Sequence, residues 1–506
     1  MHILKPSVAT TSGNITIICL LTCLFNTSTI LKAQTISSEH GNLTFCDTMT
    51  RDVFIVWWDK DFDYSAEADI LLDSMLSYRN TCLNALYMQD PLSIQDGYYC
   101  NIYIHTPGDM TDYFTANYPY FGNGVGGDIN NYPYMTLPNF VLDPYYAGFT
   151  YGRWINLAHE TFHIFQTHGM WDLTPGIYLT DDGDWFVEAS ANWFAYDLYP
   201  DYIRSFVESE ILVRIPHVPL WLGWSNLPGY YPDNWQRQVH QYALSTFLYY
   251  LTNTFGITDS ALVSVFYSST DLTPQAYLYN QIGGEVFRNQ FIDCAAHMTN
   301  HFDFISAEQA EGAQHEWDTY ADPSDDNQFI QTYINTGSDG WFRPDDDVTT
   351  NAWSFNTYKL ENNASQSYTF EIRGDETGTY GDAAYFQGKV LVQNALTGAS
   401  FHDLVMTSSL EGALTLNLTP NDTSIYFIIA AMPEIFIDDN PLFQLFPYEM
   451  RISAGAVVIS DLDCENCSAY EIARYNVLGQ EVDKHAGGLQ FVLYNNGHIE
   501  KVFIVQ

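Results

Sequence analysis

The chain has 506 residues, 46% hydrophobic and 16% aromatic, with 37 tyrosines and 12 tryptophans. That is enough for two or three domains with sizeable cores and too apolar for a disordered chain. Lysine and arginine total 18 against 61 acidic residues, a formal net charge of −43, which repels phosphate backbones and anionic headgroups and so argues against nucleic-acid or membrane-surface binding.

The first 34 residues have the layout of a secretory signal peptide. Lys5 supplies positive charge, 15–25 is a largely apolar core, and Leu31-Lys32-Ala33-Gln34 offers a cleavage site. The apolar run is shorter than the ~20 residues a membrane span needs, and no later stretch is long and apolar enough. Thr22 before Cys23 and Leu24-Phe25 after it argue against lipid attachment. A secreted or cell-surface protein is therefore expected. Beyond the signal lie Cys46, Cys82, Cys100, Cys294, Cys464 and Cys467. In an exported protein an even count points to disulfides of undetermined connectivity, with Cys464 and Cys467 expected to form a small local one.

Residues 53–58 form a compact apolar run, expected as a strand; 66–88 has helical spacing through Ile70, Leu71, Met75, Leu76 and Leu83; 99–104 returns to a strand. This opening is a strand–helix–strand unit on a sheet. The glycine-rich stretch 122–127 leads into no helix and is expected as a plain loop. Residues 134–141 are expected as a further strand, confined by Pro138 to a sheet edge. Helices are then expected at 151–167, apolar on most sides; at 184–199, ending at Pro200; at 233–255, stopping at Gly256; and at 285–301. After about Asp322, short runs at 368–373, 390–393, 413–418, 425–431 and 448–452 alternate with Gly, Asp, Asn and Pro, the texture of a β-sandwich. The expected class is α+β: a zincin-like catalytic domain over 35–325, a β-sandwich over 326–455 and a short C-terminal β unit over 456–506.

The strongest chemical signal is His159-Glu160-Thr161-Phe162-His163. Residues four apart on a helix differ by roughly 40° in direction, so both histidines face one side and can share a tetrahedral zinc. Glu160 beside them is placed as general base for a water whose pKa zinc lowers to about 7. A catalytic zinc needs a third protein ligand. The spacing with a third histidine fails, because Gln166 and Gly169 stand where that pattern has glycine and histidine, and His168 is one residue out of register. A glutamate from a second helix fits instead. Glu188, 25 residues after His163, sits among Trp185, Phe186, Val187, Trp193 and Phe194, where a carboxylate needs a partner. His297 and His301 also have i,i+4 spacing but no acid between them, and are expected as surface or capping histidines.

These segments together resemble the gluzincin, thermolysin-like branch of zinc peptidases. More closely, HETFHIFQ, WFVEASANWF and HQYALSTFLYYLTNTFG resemble a family of secreted, uncharacterised bacterial proteins, over about residues 45–455. The resemblance implies zinc held by His159, His163 and Glu188, with Glu160 as base, and names no substrate. Gluzincins add a tyrosine or histidine that stabilises the oxyanion; Tyr242, followed by Ala243, is the candidate, with His240 beside it. Residues from about Ala469, including Tyr475-Asn476-Val477-Leu478-Gly479-Gln480 and Lys501-Val502-Phe503-Ile504, resemble the second half of the type IX secretion sorting domain of Bacteroidetes. The expected function is secreted peptide-bond hydrolysis, acting on peptides or proteins, glycoproteins included. The alternatives are a non-catalytic adhesin or glycan binder on the same scaffold and a zinc hydrolase acting on glycoproteins.

Overall fold

The structure, a computed structural model, describes residues 46–105, 124–127, 132–138, 142, 150–172, 183–200, 206–221, 240–267, 272–315, 334–336, 340–345, 348–361, 366–376, 381–436, 444–455, 471–476, 482, 488–494 and 499–504. The signal-peptide segment and the Cys464/Cys467 pair lie outside these. The chain divides into two compact units, Met1–His168 and Gly169–Gln506.

The first unit is built on a five-stranded sheet: β1 (Cys46–Arg51), β2 (Phe54–Asp59), β3 (Cys100–His105), β4 (Gly124–Gly127) and β5 (Pro133–Pro138), in the order β1-β2-β3-β5-β4. Helix α1 (Ser65–Asn84) joins the parallel pair β2 and β3, whose register sets Phe54 opposite Cys100. Ile55, Trp57, Tyr103 and Tyr134 pack together, and Trp57 Nε1 donates to Asn101 Oδ1 at 3.0 Å. The whole run Phe54–Trp58 is buried, which is why β2 reads as apolar without alternation. The inward face of α1 is Ala68, Leu71, Leu72, Met75, Tyr78 and Cys82, whereas Ile70 is exposed. At 100° per residue Ile70 lies about 160° from Leu72, on the opposite side of the helix.

Three expectations fail. The glycine-rich stretch is not a plain loop: Gly124–Gly127 pairs antiparallel with β5 and forms the sheet edge. Consequently β5 is internal, bonded to β3 on one side and β4 on the other. Its proline problem is solved by position, since Pro133 and Pro138 stand at the two strand ends, where a missing N–H costs least. The disulfide expectation also fails for Cys82 and Cys294, which are buried thiols, and burial pushes both well above the usual range.

Helix α2 (Thr150–Asp172) carries the His159–His163 motif, and α3 (Asp184–Leu198) is the next helix along the chain. Later come α4 (Ser245–Tyr249), which continues as a π-helical turn, Tyr250–Phe255, and then α5 (Pro274–Ile282), α6 (Gly284–Thr299) and α7 (Ala307–His315). Gly256 ends the π turn at φ 90°, a left-handed conformation that favours glycine.

The remaining strands are β6 (Ile334–Thr336), β7 (Phe342–Pro344), β8 (Ser354–Glu361), β9 (Gln366–Gly374), β10 (Phe386–Asn394), β11 (Gly398–Asp403), β12 (Val405–Met406), β13 (Glu411–Leu418), β14 (Asp422–Ala431) and β15 (Tyr448–Gly455). They form two antiparallel sheets, β11-β10-β14-β8 and β12-β13-β9-β15-β7-β6. Phe370 meets Phe427 and Phe386 meets Tyr448 between the sheets, with ring centroids 5.4 and 5.7 Å apart. Helix α6 packs on β8, β10 and β14, so that sheet is covered on both faces. This explains the unbroken burial of Ile425–Ala431 in β14, while β9, packed on one side, alternates. Trp221, Trp353, Phe287, Phe291, Tyr279 and Phe436 form an aromatic cluster joining α5 and α6 to the start of β8. The last three strands, β16 (Glu471–Asn476), β17 (Gly488–Tyr494) and β18 (Ile499–Ile504), make a separate antiparallel meander. The architecture is α+β with sandwich-like sheets. Among the described residues no helix is long and apolar enough to cross a membrane.

Candidate metal centre

Helix α2 is buried over almost its whole described surface. Ile155, Leu157, Ala158, Phe162, Ile164 and Phe165 fill its apolar positions. Into that setting the sequence inserts His159, Glu160, Thr161, His163 and Gln166, all buried. Each such group costs free energy unless it finds a partner. Thr161 solves this within the helix, its Oγ1 donating to the Leu157 carbonyl at 2.6 Å. Ser190 does the same in α3, donating to the Phe186 carbonyl at 2.6 Å.

The histidines solve it by facing each other. His159 Nε2 and His163 Nε2 are 2.9 Å apart, with the rings nearly perpendicular. Gln166, one turn further on, accepts from His163 Nδ1 at 2.6 Å. With its proton committed there, His163 presents Nε2 as a lone-pair nitrogen, the tautomer a metal ligand needs. Glu188 completes the group. One ligand atom from each of His159, His163 and Glu188 lies within 4.8 Å of the others, the one group of three or more His, Cys, Asp or Glu side chains so placed among the described residues.

The donor set fits a zinc ion. Two imidazoles and one carboxylate leave a fourth tetrahedral position open, and two nitrogens each 2.0–2.1 Å from one ion stand about 3.3 Å apart. The 2.9 Å between the two Nε2 atoms is within a few tenths of that span. Glu160 follows His159 directly and is 5% exposed.

Local sequence explains how Glu188 is held. Trp185 and Phe186 are fully buried in α3, and Trp185 Nε1 donates to Gln275 Oε1 at 3.0 Å. Trp193 Nε1 donates to Thr252 Oγ1 at 3.1 Å, tying α3 to the π-helical turn. The alanines at 189, 191 and 195 are fully buried, and α3 packs closely on α4. These anchors fix the helix from which the half-buried Glu188 projects.

Tyr242 is half-buried in a helical turn before α4, with buried His240, Gln241 and Ala243 around it. It is not one of the three clustered donors. His297 and His301 do not form a second site: His297 Nδ1 bonds Asp303 Oδ1 at 2.5 Å, and His301, past the end of α6, has φ 59°. The side chain of His168 lies outside the described residues. Gln166, three residues after His163 and on its side of the helix, is a supporting residue that the histidine motif alone does not mark.

A protein family described as "Family of unknown function (DUF6055)" matches residues 27–458. The chain belongs to that family. No curated protein matches. Among solved structures, the chain is similar to the CBM22-1–GH10 modules of the N-terminal endo-1,4-beta-D-xylanase 10B of Clostridium thermocellum, at 11% identity over 25% of this chain and 29% of that one, with a TM-score of 0.14. A family 35 carbohydrate binding module from an environmental isolate matches at 13% identity over 24% of this chain and 82% of that one, TM-score 0.14. A family GH115 4-O-methyl-alpha-glucuronidase matches at 9% identity over 70% of this chain and 51% of that one, TM-score 0.13. Likenesses this slight decide neither fold nor function for this member of the family.

Proposed function

We propose that this protein is a secreted zinc metallopeptidase of zincin-like architecture, with His159, His163 and Glu188 as the metal ligands. The observation that supports it most is the convergence of those three donors, two from one helical turn and one from 25 residues later, with buried Glu160 adjoining the first histidine. The same donor types also suit iron(II). Glu160 favours zinc hydrolysis, because a redox centre has no use for a carboxylate base beside its ligands.

Zinc held there would supply Lewis acidity, polarising a substrate carbonyl and making water nucleophilic at neutral pH. Glu160 takes the proton from the attacking water and later returns it to the leaving amine. Gln166 keeps His163 in the tautomer and orientation a ligand needs. Tyr242 is the proposed hydrogen-bond donor to the oxyanion. Substrates are peptides or proteins, glycoproteins included. The three-stranded C-terminal sheet is proposed as an export address read by secretion machinery, in keeping with the signal-like N-terminal segment.

Purified protein refolded with zinc should carry about one zinc per chain. The double change His159→Ala with His163→Ala should abolish loading. Elemental analysis finding no zinc in the parent would sink the metal assignment. A mass-spectrometric screen of peptide and glycoprotein cleavage separates hydrolysis from the non-catalytic alternative, an adhesin or glycan binder that keeps the metal and cleaves nothing.

A further inference from the structure

Between helix α6 and the covered sheet lies a cavity of about 420 Å³, within the range of small-ligand sites. Its wall is largely polar where a helix–sheet contact is normally apolar. Asn289, Gln290 and Asp293 project from α6; Gln387 and Lys389, on one face of β10, come from below; Asp403 stands at the end of β11. None of these residues belongs to the metal centre.

Lys389 is the least expected of them. It is 5% exposed, directly before the buried run 390–392, and its Nζ bridges Asp293 and Asp403, the latter at 2.6 Å. Burial alone would lower its pKa; hydrogen bonds to the two carboxylates outweigh that and raise it, so the ammonium stays charged. Gln387 Nε2 donates to Asn289 Oδ1 at 2.9 Å. The amide oxygen of Gln387, by contrast, is buried and accepts no hydrogen bond among the described residues. A buried acceptor left in that state calls for a donor from outside the protein.

We propose that this cavity binds a neutral polyhydroxylated ligand, in its simplest form a single sugar unit. Two carboxylates and one ammonium leave the site one negative charge, on a chain that already carries −43, so phosphates and other anions are disfavoured. An apolar ligand would strand the amides and the carboxylates. A sugar presents many hydroxyls, each able to donate and accept: donors suit the Gln387 oxygen and the carboxylates, and acceptors suit the amide N–H groups. No aromatic ring lines the cavity, only Ile292, Leu404 and Met406 beside the polar groups, so affinity rests mainly on hydrogen bonds and falls in the millimolar range.

The test uses the full chain titrated calorimetrically with glucose, galactose, mannose, xylose and N-acetylglucosamine, and with glucuronate as the charged comparison. At least one neutral sugar should bind saturably, and glucuronate more weakly. Asp403→Asn, at a 76% exposed position, and Gln387→Leu should each weaken binding about tenfold or more. Melting curves should show both variants folded; Asp403→Asn alone carries the test if Gln387→Leu unfolds. No saturable binding of any neutral sugar up to about 50 mM overturns the proposal. So does binding that Asp403→Asn retains in full, or a preference for glucuronate. Zinc loading is untouched by either variant, so failure here and failure of the metallopeptidase reading are separate results.

Discussion

Single side chains carry the chemistry, and two of them separate roles that the sequence motif fuses. Glu160 and His159 are adjacent in the chain, yet only the histidine joins the donor cluster. Glu160→Gln should therefore keep the metal and lose turnover, because glutamine preserves size but cannot accept a proton. A removed general base costs on the order of 10²–10⁴ in rate; zinc analysis and a peptide-cleavage assay on the same preparation check both halves. Equal turnover would exclude Glu160 as the base. Gln166 acts one bond further out, through His163 Nδ1. Gln166→Ala should weaken metal affinity about 10–100-fold, and Gln166→Glu, which keeps the acceptor, should restore most of it. Chelator competition measures this, and an unchanged affinity in the alanine variant would make Gln166 mere packing. That His159 and His163 would lie together was legible from helical periodicity, and that Glu188 would join them was legible from a carboxylate set among apolar residues. Gln166 was not, since a buried glutamine reads the same whether it supports a ligand or only fills space.

Elements were legible where local chemistry decided them. The β2–α1–β3 opening follows from apolar run, helical spacing and apolar run, and the end of the π turn follows from Gly256. The errors arose where a partner strand decided. Gly124–Gly127 has no side chains to signal a strand; only its pairing with β5 makes it one. Through that pairing β5, expected at a sheet edge, is internal. If a substrate adds a strand to this sheet, the available edges are β1 and β4. Gly256 provides the test at this scale. Its φ of 90° suits glycine, and an added Cβ meets nothing within 4 Å, so Gly256→Ala introduces backbone strain without a clash. The expected cost is about 1 kcal/mol, read as a lower denaturant midpoint at unchanged m. Because the same π turn holds Trp193 through Thr252, zinc affinity should fall in parallel if that turn positions α3. A destabilised variant with parental zinc affinity would show that α3 is fixed by other contacts.

At the scale of the whole molecule, the chain divides its tasks along its length. The proposed metal donors all precede residue 189, and the family match ends at residue 458. Beyond it, β16, β17 and β18 pair only with one another among the described strands. A three-stranded sheet that shares no ladder with the sandwich supplies none of the proposed zinc donors, so on the proposed reading removing residues 456–506 should leave zinc loading and hydrolysis at parental levels. It should abolish delivery if those residues are the export address. Residues 35–455 made in a neutral host should give folded protein with about one zinc per chain. In a Bacteroidetes host the truncated chain should accumulate in the periplasm, while the full chain reaches the surface or the medium. The melting temperatures of the two forms must be compared alongside, because a tail that packs on the sandwich would lower both yield and export by destabilising the fold. A truncated protein that melts with the parent and still appears in the medium in equal amount would refute the export role and leave the tail as a structural appendage. One that melts with the parent and stays in the periplasm would tie delivery to the last 51 residues alone.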